Sequence, residues 1–167
     1  DLDTFKDNIA IALEVARTLK LDENKFFEGM KLYHKDVGAY SEYKKDNTIF
    51  LNGFSINDPD SIKIAYEKVV EKYDKNDITI LLNSRSDRPT RVSQHMEMLN
   101  SLKCKKIILM GSATSYLYKK IKQSIDVDIQ IYKDINSLSD EKIIFAVGNI
   151  GGDGMKLVDY YKKEGEK

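Results

Sequence analysis

Three arginines crowd into seven residues of a chain that otherwise relies on lysine. Arg85, Arg88 and Arg91 lie in the run Asn83-Ser84-Arg85-Ser86-Asp87-Arg88-Pro89-Thr90-Arg91, although only four of the 27 basic residues in the whole chain are arginine. A guanidinium group is planar and presents a fixed fork of N–H donors that matches carboxylate or phosphate bidentately; on a merely solvated face, lysine serves as well. The run therefore reads as an anion clamp. Arg85, Arg88 and Arg91 would grip the anion, with Asn83 at the strand end beside them. Asp87 would orient an arginine or meet an amine. The plainer alternative is a capped helix start carrying solvated charges.

The elements that must hold these residues follow from the hydrophobic rhythm. From Thr48 onward, short apolar runs alternate with segments of helical spacing. Strands are expected near 48–54, 77–83, 105–111, 127–132 and 142–148. Helices are expected near 58–74, 88–102, 112–124 and 153–164. Strands alternating with helices predict a Rossmann-like α/β fold: a mostly parallel sheet with helices on both faces. Asn57 or Asp58 should cap one helix ahead of Pro59, Asp87 a second ahead of Pro89, and Ser112 a third. Before Thr48 the pattern predicts a short helical segment. One helix spans 5–20, with apolar Phe5, Ile9, Leu13, Ala16 and Leu19. A second spans about 23–34, capped by Asp22, with Phe26, Phe27, Met30 and Leu32 partly buried. Residues 35–47 read as a linker.

In an open parallel sheet, ligands bind beyond the carboxyl ends of the strands. Four polar or glycine-rich segments fall there: 52–58, 83–91, 111–115 and 148–154. A helix start follows each and presents free N–H groups, which favours an anion. Asn52, Asn57 and Asp58 are candidates in the first. Gly148, Asn149 and Gly151 form a loop near the site in the last, either as a close backbone approach to a ligand or as a loose turn. His95 is expected on a helix surface, one turn beyond Arg91. No nucleophile–base pair suggests covalent catalysis, and no zinc-type ligand spacing occurs. No catalytic or metal-binding residue is assigned.

Composition narrows the class. Net charge is zero, so no excess positive field recommends nucleic acid as a partner. No apolar run approaches the ~20 residues that span a bilayer. A single cysteine, Cys104, precludes an intrachain disulfide and reads as a small packing residue. The chain starts at Asp1 rather than methionine, and its expected status is a piece of a longer protein.

The residues Asn57-Asp58-Pro59-Asp60-Ser61, Asn83 to Arg91 and Gly148-Asn149-Ile150-Gly151-Gly152 resemble the C-terminal part of the ligase subunit of poly-γ-glutamate synthases, capsule-type relatives of the Mur ligases. The front helices are similar to the last helices of a Mur-type central domain. The resemblance implies two domains. Residues 1–46 would be the helical end of the central domain plus a linker, and 47–167 a Rossmann-like C-terminal ligase domain. It implies ATP and Mg²⁺, bound mainly by a central domain outside this chain, an acyl-phosphate intermediate, and attack by an incoming glutamate amine. The Arg85/Arg88/Arg91 clamp would hold glutamate or the poly-γ-glutamate chain, and Asn52, Asn57 and Asp58 would meet the nucleotide. Departures exist: Gly38 is followed by Ala39 where many Mur ligases carry Gly-Arg, and no P-loop pattern occurs in the chain. A cytoplasmic location at the inner membrane face, through membrane subunits of a synthase complex, is also implied. The alternative is a non-catalytic docking or homo-oligomerisation module.

Overall fold

The computed structural model describes residues 6–32, 34 and 36–165, apart from the Lys6 side chain. It divides into two compact units, 1–36 and 37–167. The second begins ahead of the expected boundary at 46/47.

The first unit holds α1 (Lys6–Thr18) and α2 (Glu23–Lys31). Asp22 caps α2 as expected, its carboxylate accepting from the Lys25 N–H at 3.0 Å. Arg17 Nε donates to Glu23 Oε1 at 2.8 Å across the turn. Ala16 is buried, and Ile9 and Leu13 are half-buried. Phe27 and Leu32, expected to be partly buried, are exposed; a short helix with one helical neighbour covers only one stripe. Phe5 lies outside the described residues.

The second unit is built on six strands: β1 (Ser41–Lys45), β2 (Thr48–Gly53), β3 (Ile78–Ser84), β4 (Lys106–Gly111), β5 (Asp128–Ile131) and β6 (Ile143–Gly148). They run in the order β1-β2-β6-β3-β4-β5. All neighbours are parallel except β1, which forms an antiparallel hairpin with β2. Strand β1 corrects the reading of 35–47 as a linker. Its sequence, Ser-Glu-Tyr-Lys-Lys, buries only Tyr43. An edge strand needs charge rather than an apolar run, and so hides in a sequence.

The central strands are buried on both faces, and their side chains alternate between two cores. Ile80, Leu82, Ile107, Leu109, Phe145 and Val147 face α3 (Pro59–Lys72), α4 (Pro89–Ser101) and α5 (Thr114–Ser124). Leu81, Ile108, Met110, Ile144 and Ala146 face α6 (Asp153–Glu164) and the turn at Leu138. Phe50 of β2 stacks on Tyr161 of α6, with ring centres 4.3 Å apart. Cys104 packs partly buried against the first core.

Helix starts differ from expectation in an informative way. Asp58 caps α3, accepting from the Ser61 N–H at 2.9 Å, with Pro59 opening the helix. Asp87 does not cap α4; the residue at that place is Arg88, which makes no capping bond. Ser112 does not cap α5, where Ala113 stands instead. Gly152 leaves α6 uncapped as well. Helix α4 is held by packing. Val92, Met98 and Leu99 are buried, each contributing roughly 1.5–3 kcal/mol against about 1 kcal/mol for the missing cap. His95 lies on that same stripe. It is 4% exposed, which corrects its reading as a surface residue.

Candidate functional site

Strand β3 leads through α4 to β4 on one side. Strand β6, its other neighbour, leads into α6 on the opposite face. Such a reversal opens a crevice at the carboxyl ends of the two strands. Two glycines let the backbones close around it. Gly111 and Gly148 have φ of +90° and +98°. A Cβ at 111 would run into the Ser84 backbone oxygen, and one at 148 into that of Asn83. Asn83, 3% exposed, stitches the β6–α6 loop to β3. Its Nδ2 donates to the carbonyls of Asn149 and Gly151, and the Asn149 N–H donates to the Asn83 carbonyl at 2.9 Å. Asn149 Oδ1 in turn accepts from the Gly151 N–H at 2.6 Å.

The crevice has two lobes sharing a wall of Asn83, Ser84, Arg85 and Asn149. The larger, of ≈ 310 Å³, runs past Gly111, Ser112, Gly152 and Asp153. The smaller lies against α4, among Asn57, Arg88, Arg91, His95 and Gly148. The uncapped starts of α5 and α6 border the larger lobe, and that of α4 the smaller. Their free N–H groups and dipoles favour a negative ligand there.

The three arginines divide their work. Arg85 is engaged by Asp87, with Nε to Oδ1 at 2.9 Å and Nη2 to Oδ2 at 2.6 Å. That hydrogen-bonded pairing holds the Asp87 carboxyl below its ordinary range, with a smaller contribution from the Arg88 charge. Arg91 reaches across to the loop before α3, donating from Nη1 to the Asn57 carbonyl at 2.9 Å and to Asn57 Oδ1. Arg88 is exposed at the mouth of the smaller lobe, and its guanidinium makes no hydrogen bond or ion pair among the described residues. The clamp therefore reduces to one available guanidinium flanked by two structural ones.

The residues expected at a nucleotide are engaged elsewhere. Asn52 is fully buried and lines neither lobe. Its Nδ2 donates to the Val37 carbonyl at 2.9 Å and to Ser41 Oγ at 3.2 Å, and its Oδ1 accepts from the Phe54 N–H. It ties the chain ahead of β1 to β2. Asp58 is committed to the α3 cap, and the hydrogen bonds from Ser61 lower its pKa. Asn57 borders the smaller lobe with its oxygens turned to Arg91. Gly148, Asn149 and Gly151 do line the crevice. Among the described residues, no group of three His, Cys, Asp or Glu is placed to hold a metal ion.

Two residues outside the expected set stand at the crevice. The Ser84 Oγ and the His95 Nδ1 are buried and have no hydrogen-bond partner among the described residues. Both residues line the smaller lobe. Burial pushes the His95 pKa down, the Asn57 carbonyl opposes this, and the Arg91 charge adds to the lowering. His95's spacing one turn beyond Arg91 was the available signal in the sequence; nothing local marked Ser84.

Comparison with known proteins agrees with this architecture. The model of the poly-gamma-glutamate synthase CapB C-terminal domain family matches residues 37–164, nearly the span of the second unit. The chain is 30% identical to the capsule biosynthesis protein CapB of Bacillus anthracis, over 98% of its own length and 39% of that protein. It is 30% identical to the PGA synthase CapB of Bacillus subtilis (strain 168), over 93% of its length and 44% of that protein. It therefore spans about two fifths of these relatives. Two solved Thermotoga maritima structures, a folylpolyglutamate synthase and the UDP-N-acetylmuramate-alanine ligase MurC, each match 93% of the chain and 37% of their own, both with a TM-score of 0.57. Identities of 13% and 12% make that a likeness of fold. With the family match covering all six strands, the chain belongs to the CapB C-terminal domain family of poly-gamma-glutamate synthases.

Proposed function

We propose that this chain is the C-terminal part of an ATP-dependent amide ligase that polymerises glutamate, and that its crevice receives a carboxylate of the incoming glutamate while the domain closes over the nucleotide. The observation that carries this reading is Arg88: a guanidinium without a partner among the described residues, at a crevice bordered by uncapped helix starts. The family match supports the reaction class. In that reaction ATP supplies the phosphoryl group that activates a carboxylate. The incoming amine attacks the acyl carbon, the amide C–N bond forms and phosphate leaves. In this reading ATP and Mg²⁺ are held chiefly by parts of the enzyme outside this chain, and Asn52, Asn57 and Asp58 are the residues here that would approach the nucleotide. The isolated chain then has no ligase activity. The enzyme works at the inner face of the membrane through partner subunits, with the poly-γ-glutamate chain as its product.

A second reading, a docking or self-association module of a synthase complex, draws on Ile11, Val15, Leu19 and Phe27, which are exposed on and just after the helices of the first unit. The two readings separate on Arg88→Lys in the full-length enzyme. The ligase reading expects the KM for glutamate to rise about tenfold, the equivalent of one bidentate bond, with unchanged thermal stability. An unchanged KM overturns it.

A further inference from the structure

The smaller lobe is narrow. It holds ≈ 20 Å³, room for about one polar group. Two of the residues lining it, Ser84 and His95, each carry a buried polar atom with no hydrogen-bond partner among the described residues, Ser84 Oγ and His95 Nδ1. Ser84 is 2% exposed and His95 4%. Buried polar groups are nearly always paired, so two orphans in one small lobe mark a place where a ligand completes the bonding.

The charge around the lobe defines that ligand. Arg85, Arg88 and Arg91 line it, with no Asp or Glu lining it among the described residues. The neighbouring acids are occupied, Asp87 by Arg85 and Asp58 by the α3 cap. The Asn57 carbonyl approaches His95 Nε2 at 3.4 Å. A carbonyl only accepts, so this contact favours the tautomer with the ring proton on Nε2, which leaves Nδ1 with a lone pair in the neutral imidazole. Burial, and to a smaller extent the Arg91 charge, lower the His95 pKa and so favour the neutral ring. An anion entering opposite Nδ1 reverses that balance, because an adjacent negative charge favours the imidazolium.

We propose that Ser84 and His95, with Arg88, form a carboxylate seat that takes up its ligand together with one proton. The Arg88 guanidinium anchors the carboxylate and the Ser84 hydroxyl donates to it. A proton from solvent adds to His95 Nδ1, which then donates to the same group while Nε2 keeps its bond to the Asn57 carbonyl. This rests on the reading that the crevice receives glutamate, and it names the recognition residues of that site.

The test is calorimetric titration of the full-length enzyme near neutral pH, with glutamate, glutarate and inorganic phosphate, in buffers of differing ionisation enthalpy. The expected result is that glutamate and glutarate bind with uptake of up to one proton. His95→Gln preserves a donor towards Asn57 but lacks Nδ1; it should bind several-fold more weakly, without uptake. Ser84→Ala should also bind several-fold more weakly, yet melt no lower than the parent, because it removes an unsatisfied buried hydroxyl. If glutamate binds but both variants match the parent in affinity and proton uptake, the seat is refuted and the ligase reading survives. If neither carboxylate binds, or phosphate alone does, both are refuted.

Discussion

Glu141 should hold the sheet together at the end opposite the crevice. It is 2% exposed and lies just ahead of β6. It accepts from Thr79 Oγ1 of β3 at 2.5 Å, from Lys106 Nζ of β4 at 2.6 Å and from Lys105 Nζ at 3.2 Å. One side chain thus pins the amino ends of the three strands whose carboxyl ends form the site. Glu141→Ala leaves the buried Thr79 hydroxyl unpaired and removes the closest partner of Lys106, whose side chain is 18% exposed. Breaking a buried pair costs about 3–5 kcal/mol. The lower end applies, since Lys106 keeps Asp128 at 3.7 Å and Lys105 is exposed enough to turn to water. Glu141→Gln keeps the shape and one acceptor and should cost about 2 kcal/mol, the scale of a charge-assisted bond. Burial alone would raise the Glu141 pKa, but hydrogen bonds from Lys106, Thr79 and Lys105 outweigh it, and the net shift is downward from 4.5. A depressed carboxyl pKa stabilises the fold above the unfolded-state value and loses that contribution as pH falls through the folded-state value. The parent should therefore lose stability on acidification below about pH 4.5 more steeply than Glu141→Gln. Urea unfolding followed by tyrosine fluorescence measures both effects, the chain having no tryptophan. A loss under about 1 kcal/mol for Glu141→Ala, with no difference in acid sensitivity, would show that the lysines solvate freely and that the network acts as an ordinary surface pair.

Two further substitutions separate structural from functional roles. Asn52→Ala should destabilise by about 2–3 kcal/mol, by orphaning the Val37 carbonyl and the Phe54 N–H, yet leave the KM for ATP unchanged in the full-length enzyme; a raised KM with unchanged stability would show that the Asn52 side chain itself binds the nucleotide. Gly148→Ala forces a Cβ onto the Asn83 carbonyl at positive φ and should cost about 2–3 kcal/mol while weakening glutamate binding. A neutral result in both denaturation and binding would show that the β3–β6 junction is not rigid.

The α/β architecture was legible because strands buried on both faces are nearly continuous apolar runs. Ile78–Leu82, Ile107–Met110 and Ile143–Val147 stand out for that reason. Strand β1 did not stand out, since an edge strand with one buried tyrosine reads as polar loop. Asp58-Pro59 was legible as a helix start because capping is local. Asp87 and Ser112 carry the same local signal but turn sideways: Asp87 to Arg85, and Ser112 Oγ to the Ser86 N–H at 2.9 Å. The arginine cluster was visible in composition alone, whereas its division of labour was not. Arg91 meets Asn57, 34 residues away, and only the fold brings them together. That Ser84 Oγ and His95 Nδ1 have no partner among the described residues is likewise tertiary: whether a buried polar atom is paired depends on every element packed around it.

The central claim is that the β3–β6 crevice receives the carboxylate of incoming glutamate. A crystal structure of the full-length enzyme with glutamate and a non-hydrolysable ATP analogue tests it most directly. The account predicts a glutamate carboxylate on the Arg88 guanidinium, within hydrogen-bonding reach of Ser84 Oγ and His95 Nδ1. Glutamate bound elsewhere, with Arg88 still solvated and the smaller lobe empty, would contradict it.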